Sequence, residues 1–294
     1  MDNERPKITQ AMINAYDDYT HLHLDRRRFM ERLTQLAGSG AAAAAIAPML
    51  AANGAKADQI PATDDRLVIE DVTYPGTKGA TMKAYLARPK AATAPLGGVI
   101  VIHENRGLNA HIKDIARRMA LEGFNALAVD FLSPAGGTPA DEDQARQMFS
   151  TLDAGDVAAN GEASRAYLAG IKGANGKVGA IGFCWGGGAV NNLAVKSPAL
   201  NAGVAYYGAQ PKAEDVPTIK APLMLHYGGL DERINAGIPA YREALEKNGK
   251  TFEIFVYEGV NHAFNNDTSA ARYDKTAADL AWSRTVAFFK KYLA

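Results

Sequence analysis

Six consecutive residues, Gly98-Val99-Ile100-Val101-Ile102-His103, form a nearly unbroken apolar run. A strand with one wet face alternates apolar and polar side chains, so this run suits a strand covered on both faces, as in a parallel sheet between helices. Two extended segments precede it, Arg66 to Tyr74 and Thr81 to Arg88, joined by the turn-rich Pro75-Gly76-Thr77-Lys78-Gly79, and these are expected to pair antiparallel at an edge. After it, Ile112, Ile115, Met119 and Ala120 recur at helical spacing before Gly123, and Asn125 to Phe131 reads as another short strand. The rhythm continues with helices near 141–152 and 156–172, a strand at Val178 to Phe183 and a helix after Gly186. Strands then follow near Val204 and at Pro222 to Tyr227, a helix at 236–248, a strand at Phe252 to Tyr257 and a helix from about 276 to 292. Such alternation implies one doubly wound, mostly parallel α/β sheet flanked by helices, spanning residues 58–294 without internal repeat or linker.

Composition narrows the partners. Lys+Arg 32 against Asp+Glu 32 gives a formal charge of zero, which argues against nucleic acid or an anionic membrane surface. At 47% hydrophobic and 22% charged the chain is an ordinary globular protein. Its single cysteine, Cys184, excludes an internal disulfide and a cysteine-based zinc finger. No metal-ligand cluster and no cofactor motif is visible in the pattern, and nothing in it speaks to oligomeric state.

Residues 1–57 read differently. No charge occurs between Arg32 and Lys56, an interval holding Gly38-Ser39-Gly40 and then Ala41 to Ala45. Before it stand Asp25-Arg26-Arg27-Arg28-Phe29-Met30 and after it Ala55-Lys56-Ala57, so a basic stretch, an apolar stretch and an A-x-A site follow in order. This resembles a twin-arginine export signal, which implies the twin-arginine machinery as a partner and a periplasmic or exported product. The Ala/Gly-rich run and Pro48 argue against a membrane span persisting after processing. The alternative is a retained N-terminal helical segment packed on the domain or a second subunit, and a cytoplasmic protein.

Gly182-Phe183-Cys184-Trp185-Gly186-Gly187-Gly188 follows the strand Val178 to Phe183 and opens a helix, giving G-x-C-x-G at a strand-to-helix turn. That is a nucleophile elbow with Cys in place of Ser: glycines at −2 and +2 let strand and helix approach while the side chain stands exposed above the sheet. The helix N-terminus favours a thiolate and a developing oxyanion. A lone Cys is otherwise usually a small buried hydrophobe. A dinucleotide phosphate loop is rejected, because no G-x-G-x-x-G is present and no Asp or Glu lies between Trp185 and Ala213. An acid and a histidine should follow in order, and Asp231 in Gly228-Gly229-Leu230-Asp231 and His262 in Gly259-Val260-Asn261-His262-Ala263-Phe264 each lie just past a strand. His262 would take and return the thiol proton while Asp231 holds its tautomer. His226 reads as a core residue, and His21, His23 and His111 carry no motif.

Together with His103-Glu104-Asn105-Arg106-Gly107, these segments resemble the dienelactone hydrolase family of α/β-hydrolases from about residue 66 onward. The resemblance implies a Cys184-Asp231-His262 triad, Glu104 holding the resting thiol, and an oxyanion hole from the backbone N–H groups of Asn105 and Trp185. It also implies a substrate-gripping arginine a few residues past the histidine, but that stretch reads Asn265-Asn266-Asp267, with no arginine before Arg272. Arg106, Arg146 or Arg233 are the substitutes considered. The expected activity is hydrolysis of small carboxylic esters or lactones. The alternatives are a Cys-dependent acyltransferase or thioesterase sharing the acyl-enzyme, and a non-enzymatic binding protein on the same fold.

Overall fold

The computed structural model describes residues 7–52 and 58–294. Ala55-Lys56-Ala57, the expected cleavage site, lies outside the described residues. From Leu67 the chain builds one eight-stranded sheet, in the order β1 (Leu67–Pro75), β2 (Thr81–Pro89), β4 (Asn125–Asp130), β3 (Leu96–Ile102), β5 (Ala174–Phe183), β6 (Ala202–Tyr206), β7 (Leu223–Gly228), β8 (Phe252–Tyr257). β1 and β2 run antiparallel to each other and β2 runs antiparallel to β4, while the remaining neighbours are parallel.

Helices cover both faces: α4 (Ala110–Leu121) and α10 (Lys275–Leu293) on one, and α5 (Glu142–Ser150), α6 (Ala154–Gly170), α7 (Trp185–Lys196) and α9 (Ile238–Lys247) on the other. The apolar run of β3 divides between them. Val99 and Val101 join the core with Ile112 and Phe289, whereas Ile100 and Ile102 join the core with Leu168 and Leu193. Two strand glycines admit α10: a Cβ on Gly97 would lie 2.6 Å from Leu293 O, and one on Gly179 would lie 2.8 Å from the Phe289 ring.

Two departures from the sequence pattern have local causes. β5 begins at Ala174 rather than Val178, because its early residues pair with Leu96 across a register shift before Gly98. A short helix that the pattern does not announce, α8 (Glu232–Asn235), precedes α9, which is the helix expected at 236–248; Pro239 has no N–H to continue a helix and fits the first turn of a new one.

Residues 10–50 form three helices, α1 (Gln10–Thr20), α2 (Arg26–Ala37) and α3 (Gly40–Leu50), with side-chain N-caps from Thr9, Asp25 and Ser39. Met12, Tyr16, Phe29, Leu33, Ile46 and Leu50 make a core separate from the two of the sheet. Arg26, Arg27 and Arg28 are exposed. Among the described residues no single helix is long and apolar enough to cross a membrane; α2 and α3 reach that length and composition only together, and they are bent by 112°.

Replacing Phe289, fully buried between α10 and the sheet, by Ala is expected to lower unfolding stability by about 3–5 kcal/mol in urea titration. A change under about 1 kcal/mol would show that this face of the sheet does not depend on α10.

Candidate active site

Cys184 stands between β5 and α7 with φ 55° and ψ −113°. The strain is imposed by backbones that meet at van der Waals limits. A Cβ on Gly182 would lie 2.1 Å from Gly186 O, one on Gly186 would lie 2.5 Å from both Ile102 O and His103 O, and one on Gly187 would lie 2.6 Å from Tyr206 O. No side chain fits at any of the three. The Cys184 N–H donates to Tyr206 O at 3.0 Å, fixing the turn to the neighbouring strand. Trp185 begins α7, where first-turn N–H groups have no carbonyl within the helix.

Asp231 and His262 follow β7 and β8, and their loops are locked to each other. Leu230 N–H donates to Val260 O at 2.9 Å, Gly229 N–H to Tyr257 O at 2.7 Å, and a Cβ on Gly228 would meet Asn261 O at 2.6 Å. The carboxylate Oδ2 of Asp231 consequently lies 2.5 Å from His262 Nδ1. His262 Nε2 is buried and has no hydrogen-bond partner among the described residues. Burial opposes charge on all three groups, and the charges around each overcome it. For Cys184 burial alone would raise the pKa, yet flanking His21 and His262 bring it down to about 6. For His262 burial is outweighed by the charges of Asp231, Asp17 and Cys184, which hold it well above the ordinary imidazole value. Asp231 is lowered despite burial by the charge and hydrogen bond of His262.

The loop after β3 is set by His103, fully buried and stacked on Trp185 at 5.5 Å. Its Nδ1 lies 2.7 Å from Glu104 O, and its Nε2 accepts from Phe131 N–H at 3.2 Å. Glu104 is brought beside Cys184, bordering a small cavity with it, but its Oε2 accepts from Asn266 Nδ2 at 3.0 Å. The sulfur's partner in this arrangement is instead His21 Nε2, at 3.2 Å. Sequence reasoning missed His21 because it lies 163 positions from Cys184 and carries no motif. His226 is fully buried, in the core as expected, with a pKa pushed down by burial to about 3.

The candidate arginines separate. Arg106 is buried and donates to Tyr16 Oη at 2.6 Å. Arg146 borders the main cavity but is paired with Asp143 and lies 4.5 Å over the Tyr19 ring. Arg233 borders that cavity too, 3.0 Å from His21 Nε2 and 3.7 Å from Asp17 Oδ2. Arg272, set aside as too distant from His262, returns to the site because the chain folds back on itself, with Asp274 N–H donating to Phe264 O at 3.0 Å. It borders the small cavity with Cys184, His262 and Glu104, and lies 3.7 Å from Asp17 Oδ1. Ligand atoms of His21, Cys184 and His262 lie within 4.8 Å of one another, as do those of Asp17, Asp231 and His262, so metal-capable groups converge that are scattered in sequence.

Residues 82–293 match the sequence profile of the dienelactone hydrolase family. The chain is similar to an Escherichia coli protein named "Putative carboxymethylenebutenolidase", with 35% identity over 80% of this chain and 92% of that one. It is also similar to a Bradyrhizobium protein named "Probable 2-oxo-3-(5-oxofuran-2-ylidene)propanoate lactonase", with 32% identity over 74% of this chain and 92% of that one. Among solved structures, "Putative Dienelactone Hydrolase" from Klebsiella pneumoniae superposes with a TM-score of 0.70 at 32% identity, covering 77% of this chain and 99% of that one.

A thiol whose pKa is lowered is thiolate above that value and loses reactivity below it. Alkylation of Cys184, the chain's single cysteine, by iodoacetamide is therefore expected to fall as pH drops through about 6. A midpoint near the free-thiol value of about 8.5 would contradict the electrostatic account.

Proposed function

The chain belongs to the dienelactone hydrolase family and is a hydrolase, and from this premise we propose that it cleaves small carboxylic esters and lactones through a thioester formed on Cys184. The observation that carries the proposal is the 2.5 Å contact between Asp231 Oδ2 and His262 Nδ1, beside a thiol whose pKa is brought down to about 6. Thiolate sulfur attacks the substrate carbonyl carbon and its oxygen becomes an oxyanion, met by the backbone N–H groups of Trp185 and Asn105. Collapse breaks the ester C–O bond, and His262 gives its Nε2 proton to the leaving alkoxide; in a lactone that alkoxide stays tethered to the acyl group. Water then attacks the thioester as His262 takes its proton, and the thiolate leaves with the free acid. Asp231 keeps the imidazole oriented and stabilises its charged form throughout. A thiolate is both a good nucleophile and a good leaving group, so activated substrates such as enol esters and lactones are favoured over amides. The cavity of about 370 Å³ beside Cys184, walled by Phe149, Leu152, Trp185 and Ile234, supports a small substrate with an apolar portion.

Cys184→Ala is expected to reduce hydrolysis of p-nitrophenyl acetate and a panel of lactones by roughly a thousand-fold or more without loss of fold, and Asp231→Asn by roughly a hundred- to ten-thousand-fold. Wild-type turnover in Cys184→Ala would sink the site assignment.

We also propose that residues 1–57 act as a twin-arginine export signal, which puts the hydrolase domain of 58–294 in the periplasm. Exposure of Arg26, Arg27 and Arg28 at the start of α2 supports this, since a recognised pair must be reachable. Changing Arg26, Arg27 and Arg28 together to Lys should retain the chain in the cytoplasmic fraction. Equal fractionation of variant and wild type would remove the export reading.

A further inference from the structure

Two cavities meet at Cys184, and His21 borders both. The larger holds the apolar wall described above, and the smaller is bordered by Glu104, Arg106 and Arg272; His21, Cys184 and His262 border both. His21 Nε2 lies 3.2 Å from the sulfur, and its ring meets that of His262 edge-on with centroids 4.9 Å apart. An attacked carbonyl carbon needs an approach of about 3–3.5 Å to the sulfur, which is the distance at which the His21 ring already lies. We propose that α1 and the turn after it, residues 10–24, form an intramolecular plug that holds the thiol and the cationic pocket closed, and that its withdrawal joins the two cavities into one substrate site. This rests on Cys184 being the nucleophile.

Three further observations support a plug over a permanent wall. Cationic groups around the thiol meet residues of the segment itself: Asp17 lies 3.7 Å from both Arg272 and Arg233, and Tyr16 accepts at 2.6 Å from Arg106, whose carboxylate partner is Glu142 of the hydrolase domain. A substrate with an acidic or strongly polar end would compete with the segment for the same groups. Next, the apolar core of residues 10–50 is built almost wholly from its own helices, so it need not melt to move. The seam with the hydrolase domain is polar instead. Tyr19 Oη donates to Asp143 at 2.6 Å, Asn105 Nδ2 to Thr20 O at 2.6 Å, and Gln10 Nε2 to Asn261 Oδ1 at 2.5 Å. Finally, Glu104 Oε1 and His262 Nε2 are buried along this seam with no hydrogen-bond partner among the described residues. Buried groups left unpaired disfavour the closed state, and water or substrate satisfies them on opening.

The test uses the full chain and its single cysteine. The limiting rate of Cys184 alkylation by iodoacetamide is measured on the high-pH plateau, where ionisation of the thiol no longer enters. His21→Ala, which empties the position against the sulfur, is expected to raise that rate about ten-fold or more. Tyr19→Phe, remote from the thiol, removes the hydrogen bond to Asp143 and should raise it about five-fold, the effect of one ordinary hydrogen bond on a docking equilibrium. Plateau rates equal to wild type in both variants would overturn the proposal. An unchanged plateau with a fall in lactone kcat/KM for His21→Ala would overturn it too, making His21 a positioning residue for the reaction. Alkylation reads access to sulfur and needs no ester turnover, so failure of the plug and failure of the hydrolytic mechanism are told apart.

Discussion

The site depends on one strained residue held by close-packed backbone. Cys184 has a conformation that costs a non-glycine residue about 1–3 kcal/mol and persists only where the surroundings over-determine it. Here β5 is paired on both sides, to β3 and to β6, and α7 enters so tightly that Gly182, Gly186 and Gly187 have no room for a Cβ. The neighbouring loop is matched to this approach: a Cβ on Gly208, just past β6, would lie 2.3 Å from the Gly187 carbonyl carbon. The sheet therefore does more than support Cys184. It fixes where the sulfur points, and the parallel strands deliver Glu104, Asp231 and His262 to the same edge.

Burial then sets the chemistry. In isolation each buried group would be neutral, because a low-dielectric interior penalises charge. Placed together, the thiol falls to about 6 under the charges of His21 and His262, while the imidazole of His262 rises under those of Asp231, Asp17 and Cys184. The same logic explains the site's sensitivity to neighbours. His21 and Asp17 are among the groups that move Cys184 and His262, so the N-terminal segment changes the electrostatics of the site as well as its access.

Much of this was legible in the sequence because it is local. The elbow is a run of adjacent glycines about one cysteine, Asp231 and His262 each follow an apolar strand, and those strands alternate with helices at regular spacing. His226 could be assigned to the core from its place inside a strand. What escaped depends on chain reversal and long-range docking. Arg272 looked too far from His262 when residues were counted along the chain, yet the fold-back at Phe264 and Asp274 carries it to the site. Asn266, in a stretch noted only for lacking arginine, proves to hold Glu104. His21 offered no pattern at all, since its meaning lies in a sulfur 163 residues away.

Residues 10–50 illustrate why composition under-determines structure. An alanine-rich stretch beside arginines satisfies the pattern of an export signal, and the same small side chains let α3 pack closely against α2, with Ala43 and Ile46 filling a core that includes Leu33. The two roles are physically compatible. A segment with its own core and a polar seam can fold against the hydrolase domain without being part of its stability, and the energy of the seam is then tuned separately from the energy of the fold. Polar groups are the suitable material for such a seam, because an apolar interface would aggregate once opened, whereas Asp17, Tyr19 and Thr20 remain soluble when water replaces their partners. A segment that docks through ion pairs and a histidine thus covers the Cys184 sulfur for as long as that polar seam holds.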